Sequence, residues 1–140
     1  MFNTIIEASR NFCIHQIRVP HQVHDNVPQM RTIIAFIDAM PISGKKYRVY
    51  LAASFSFAQR VATTLLEEDE SDEETLIDMM LESANLIVGS AKVLAEEKGY
   101  ESFIITTPSF ENIDAFSVVY DEAKVLKIED DEMIIAIKEI

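Results

Sequence analysis

The chain has 140 residues, 49% hydrophobic and 26% charged, the balance of one globular domain (residues 1–140) that buries a core without disulfides or a structural metal. Its 24 acids against 12 bases leave a net charge of −12 at pH 7. That argues against nucleic acid and against an anionic membrane surface, both of which need clustered Lys and Arg. Only Gly44, Gly89 and Gly99 are glycines, too few for a phosphate-cradling loop or a nucleophile elbow. The lone Cys13 allows no internal disulfide and suits a reducing compartment. No apolar run reaches membrane-span length, and Met1-Phe2-Asn3-Thr4 has no basic leader, so a cytoplasmic protein is expected.

In chain order, residues 2–12 read as a short helix, and 13–19 as a strand or its continuation. Pro20 and Pro28 bracket a polar loop. Residues 30–40, rich in Ile, Phe and Thr, predict a buried strand. A turn at Pro41–Lys45 leads to a second strand, 46–54, with Tyr47, Val49, Leu51 and Ala53 on one face. Ser56 with Gln59 has the pattern of a capping box opening a helix to about Leu66. The acidic run 67–74 reads as a loop feeding a helix, with Ser71 and Glu74 as a second capping box. That helix spans about 72–98 and ends at Gly99. Strands are expected at 101–107, 115–121, 124–129 and 132–139, the last two as a hairpin with Asp130-Asp131 at its tip.

The long helix is the informative element. At 100° per residue, Ile77, Met80, Leu81, Ala84, Ile87, Val88, Ala91, Leu94 and Ala95 fall in one arc of about 140°, the expected core face. Asp78, Glu82, Asn85, Gly89, Lys92 and Glu96 form a narrow polar strip. Beyond it Met79, Leu86 and Val93 recur every seven residues. They predict either a second packing contact or an apolar rim that docks a partner. Gly89 costs about 1 kcal/mol in a helix interior, which calls for close packing within the fold or close approach of a partner. Glu82 and Asn85, at i and i+3, can reach one point outside the helix. An amide can position water, and a carboxylate beside it can hold a lysine. Such a pair alone occurs on many exposed helices.

The segment Asp78-x-x-x-Glu82-x-x-Asn85, continuing Leu86-Ile87-Val88-Gly89-Ser90-Ala91-Lys92, resembles the signature helix of the CheC/CheX/FliY chemotaxis phosphatases. The flanks, Tyr47 to Leu66 before it and Thr106-Thr107-Pro108 after it, resemble the CheX branch, as does the single Glu-x-x-Asn in the chain. The resemblance implies an α/β (α+β) fold, a mixed, largely antiparallel sheet with the signature helix packed on it. It implies hydrolysis of the aspartyl phosphate of a CheY-like response regulator and a homodimer. Asn85 would orient the attacking water, Glu82 would bind the regulator's lysine, and Asp78 would support the contact edge. With Gly89, Met79 and Leu86, Asp78 completes the expected partner-binding set. No cofactor or metal is expected on this chain; Mg²⁺ would belong to the regulator. The rival reading is a non-catalytic regulator-binding or flagellar-switch adaptor of the same fold.

His21-x-x-His24 could place two ligands on one side of a helical turn, but no zinc spacing surrounds it. Cys13 has no catalytic signature and is expected to be buried or half-buried.

Overall fold

The computed structural model describes residues 1–140 as three α-helices and seven strands. They are α1 (Phe2–Phe12), β1 (Gln22–His24), β2 (Arg31–Pro41), β3 (Tyr47–Ser54), α2 (Phe55–Leu66), α3 (Glu73–Glu97), β4 (Phe103–Ile105), β5 (Ser109–Ala115), β6 (Glu122–Ile128) and β7 (Asp131–Glu139). The strands form one sheet in the order β1-β6-β7-β3-β2-β4, with β5 also paired to β2. Every ladder is antiparallel, which is the expected fold class.

Alternation along the strands sorts side chains to the two faces. Ile33, Ile37, Ala39, Val49, Leu51, Ala53, Met133, Ile135 and Ile137 face the helices and form the main core with Phe57, Val61, Met80 and Ile87. Tyr47 packs against this cluster, on the face expected for it. On the opposite face, Ile34, Tyr50, Ala52, Val125, Ile134 and Ala136 form a smaller cluster with Phe116. The phenyl ring of Phe116 meets Tyr50 edge-on at 5.7 Å. Both faces of β3 and β7 are therefore dry, which explains their unbroken apolar runs.

The same far face carries one charge pair. Asp38 Oδ1 and Oδ2 accept from Arg48 Nε and Nη2 at 2.7 and 3.0 Å, across the β2–β3 ladder. The guanidinium also lies 4.1 Å above the Phe36 ring. Thr106, just past β4, stands in for a missing rung: its N–H donates to Asp38 O, and its hydroxyl accepts from Asp38 N at 3.0 Å.

Several local expectations change. Residues 13–17 continue α1 as a π-helical turn, closed by Arg18 N–H donating to Cys13 O five residues back. The loop after Pro20 contains β1, paired with β6. Helix α2 opens at Ser54, whose hydroxyl accepts from Phe57 N, and not at Ser56. Helix α3 is capped by Asp72, which accepts from Thr75 N at 2.8 Å, and not by Ser71. Contacts to Thr75 hold the Asp72 carboxyl below the usual range. Gly99 does follow the helix in the left-handed region, φ +72°, with Tyr100 N–H closing back on Ala95 O.

The strand expected at 115–121 lies earlier, at Ser109–Ala115, and residues 116–120 have no ladder partner. Their apolar side chains serve instead as a cover: Phe116 and Val118 pack on the far face of the sheet. The β6–β7 hairpin turns at Glu129-Asp130, with Asp131 already in β7.

Candidate functional site

Helix α3 packs against β2, α1 and α2, and also touches β4 and β5. Its buried residues are Leu76, Met80, Ser83, Ala84, Ile87, Val88, Ala91 and Ala95. Relative to the expected face this arc is rotated by about 20°, toward Ser83 and away from Leu81. Ile77, Leu81 and Leu94 are half-buried. Ser83 can be buried because its hydroxyl donates to Met79 O at 2.7 Å, one turn back.

The rotation leaves the polar strip turned outward. Asp78, Glu82 and Asn85 are exposed; Gly89 and Lys92 are half-exposed. Of the side chains on α3, only those of Ser83 and Glu96 hydrogen-bond within the chain. The carboxylates of Asp78 and Glu82 and the amide of Asn85 therefore have no internal role. The structure brings Asp78, Glu82, Asn85 and Gly89 together on one exposed line.

Gly89 resolves one of the two alternatives open for it. A Cβ built there meets no atom within 4 Å. Close packing inside the fold does not explain this glycine, so that expectation is corrected.

Met79, Leu86 and Val93 divide. Met79 is half-buried against the main core. Leu86 is 38% exposed and Val93 51%, so neither is absorbed by packing. Leu86 and Ser90 form one wall of a groove of about 240 Å³ whose other wall is Ala8, Asn11, His15 and Gln16. The sequence reading missed this groove. Its far wall depends on the π-helical turn, which shifts His15 and Gln16 off α-helical positions and leaves no mark in the sequence.

The residues set aside as sites behave structurally. His21 and His24 lie on or next to an extended strand, not on a helical turn. Arg10 Nε donates to His21 Nε2 at 3.3 Å, and burial, then Arg10, lowers the His21 pKa. Cys13 is fully buried, which pushes its thiol up to about 12. No three His, Cys, Asp or Glu side chains converge as metal ligands. No helix is long and apolar enough to cross a membrane.

A family model, Chemotaxis phosphatase CheX, matches residues 37–129, which include β2, β3, α2 and the whole strip on α3. The chain belongs to the CheX family. Among solved structures it resembles the chemotaxis protein CheX of Vibrio vulnificus at 15% identity, covering 99% of this chain and 97% of that one with a TM-score of 0.78. It resembles CheX of Desulfovibrio desulfuricans at 19% identity, 99% and 97% coverage and a TM-score of 0.73. CheX from the Borrelia burgdorferi CheX–CheY–BeF3–Mg²⁺ complex matches at 19% identity, with the same coverage and a TM-score of 0.69. No curated protein sequence matches significantly. Likenesses at these identities carry the fold; together with the family match they place the strip on a CheX scaffold.

Proposed function

We propose that the protein removes the phosphoryl group from the aspartyl phosphate of a CheY-like response regulator, with Asn85 and Glu82 as the working pair. The observation that carries this reading is that both side chains stand exposed and unengaged on one line of α3, beside a glycine that nothing in the chain requires. The family's description as a chemotaxis phosphatase supports the reaction class. The Borrelia CheX complex with CheY, BeF3 and Mg²⁺ supports the kind of partner.

The chemistry asks little of this chain. An aspartyl phosphate is a mixed anhydride with a good leaving group, so its hydrolysis depends on positioning and charge more than on a protein nucleophile. The oxygen of a water forms the new bond to phosphorus as the bond to the aspartyl oxygen breaks. Aspartate and inorganic phosphate leave, and the water's protons pass to phosphate and solvent. Asn85 is suited to orient that water, because its neutral amide both donates and accepts and does not repel an anion. Glu82 is suited to grip a lysine on the regulator through a charge-assisted hydrogen bond. Asp78, one turn before Glu82, extends the acidic edge, and Leu86 with Met79 supplies apolar contact beside it. Mg²⁺ is assigned to the regulator.

A homodimer in the cytoplasm belongs to the same reading. One signature helix per chain and the open edge formed by β4 and β5, where Ile104 and Phe110 are exposed, support a second copy.

The test is the dephosphorylation rate of a purified, phosphorylated CheY-like regulator from the same organism, with wild type and with Asn85→Ala. Acceleration by wild type alone supports the reading. Binding without acceleration by either would replace it with the adaptor. Full activity of Asn85→Ala would remove the amide from the mechanism.

A further inference from the structure

The strip continues past Gly89 to Lys92, the only base on α3. Its half-exposed ammonium makes no ion pair in the chain. Elsewhere bases find acids: Arg48 with Asp38, Arg60 with Asp131, Lys98 with Glu7, Lys124 with Asp25. The nearest helical candidate for Lys92 is Glu96, at i+4, in the less favourable order of Lys before Glu. Glu96 is engaged otherwise, accepting from the Ser102 hydroxyl at 3.2 Å. In a chain with twice as many acids as bases, this cation is left free on the surface that carries the working pair.

The strip thus has a charge direction. Asp78 and Glu82 lie toward the N-terminal end, Asn85 follows, Gly89 leaves bare backbone, and Lys92 stands about 10 Å beyond Asn85 along the axis. Resting on the function proposed above, we propose that Lys92 orients the regulator by pairing with an acidic side chain that flanks its phosphorylated aspartate. The regulator's lysine and acid then straddle the water held by Asn85. The reversed pose sets lysine against lysine and acid against carboxylate, so it is rejected. Opposite signs at the two ends also favour productive encounters for a chain whose net charge of −12 otherwise repels an anionic phosphoprotein. Gly89 lets the partner surface come near enough for the flexible lysine stem to reach it.

Lys92 is a specificity-determining residue in this account, so binding should move and turnover at saturation should hold. The experiment measures KM and kcat for the phosphorylated regulator, and Kd for the same regulator carrying BeF3 and Mg²⁺, at low and high ionic strength. Lys92→Gln is expected to raise KM and Kd about twofold to fivefold, the range of an exposed pair, with the effect shrinking in salt. Lys92→Glu is expected to raise both about tenfold or more, and Lys92→Arg to restore them. Lys127→Gln, on β6 and also without an ion pair, removes the same charge elsewhere and should leave both constants unchanged. Unchanged constants in Lys92→Glu, or an equal effect of Lys127→Gln, overturn the inference while wild-type turnover leaves the proposed function standing. A wild type that neither binds nor dephosphorylates the regulator overturns both.

Discussion

Gln59 of α2 holds the backbone of Ser71 in place: its Oε1 accepts from Ser71 N at 2.8 Å while its Nε2 donates to Glu68 O at 3.0 Å. One amide thus ties both ends of the acidic loop to α2 and fixes where α3 begins. Gln59→Leu should lower stability by about 1 kcal/mol, the net worth of such bonds when the freed groups reach water. Gln59→Glu should cost more, because it loses the donor and adds a carboxylate to an acidic loop. Thermal unfolding of the two variants checks the order; equal midpoints for wild type and Gln59→Glu would show that the clamp is idle.

Gly89→Ala should separate stability from function. The position has ordinary helical backbone and open space for a Cβ, so alanine should stabilise the protein by about 1 kcal/mol, a rise of a few degrees in Tm. Its affinity for the BeF3-bound regulator should fall if a partner's surface approaches that backbone. A more stable variant with unaltered affinity would refute the close approach.

Asn85→Asp keeps the shape and replaces a donor with a negative charge facing the phosphoryl group. Its dephosphorylation rate should drop by about 100-fold or more. Circular dichroism and Tm should match wild type, since Asn85 makes no bond within the chain. Retained turnover would mean that the water is oriented by another group.

Cys13 should be silent toward thiol reagents in the native state and react only as the chain unfolds, because its sulfur is buried and its pKa is pushed up to about 12. The sign of the linked stability follows. In the unfolded chain the thiol ionises near 9.0, and in the folded chain near 12. Stability is therefore whole below the unfolded pKa and is lost as pH rises through that window. Denaturant titrations of wild type and Cys13→Ala across pH 8 to about 11 should show a steeper fall for wild type; parallel curves would contradict it.

How much of this was legible depended on which residues carry periodicity. The β2–β3 hairpin and α3 were readable because burial on one or both faces imposes an apolar pattern. β5 was not: it lies at the sheet's edge, and Glu111, Asn112 and Asp114 are all exposed, so nothing selects for apolar alternation. The run Phe116 to Tyr120 looked like a strand because covering a sheet needs the same side chains as belonging to one. Helix starts slipped by one or two residues because Ser54 and Ser56, like Ser71 and Asp72, are all competent caps, and only the tertiary path selects among them. The strip of Asp78, Glu82 and Asn85 was readable from spacing. The groove beside Leu86 was not, since it is assembled from two distant segments.

The π-helical turn at Cys13–Ile17 makes the length of the N-terminal segment a constraint in its own right. Closing on the fifth residue back accommodates one more residue per turn than an α-helix would. Deleting a single residue there would let the turn relax to α-helix and swing the following chain by about 100°. Val19 would leave the core edge, and β1 would lose its register with β6. The β2–β3 turn at Ile42–Gly44 is exposed at its tip and bears no such restriction. Length variation among relatives should accordingly be tolerated at that turn and excluded between Phe12 and Arg18.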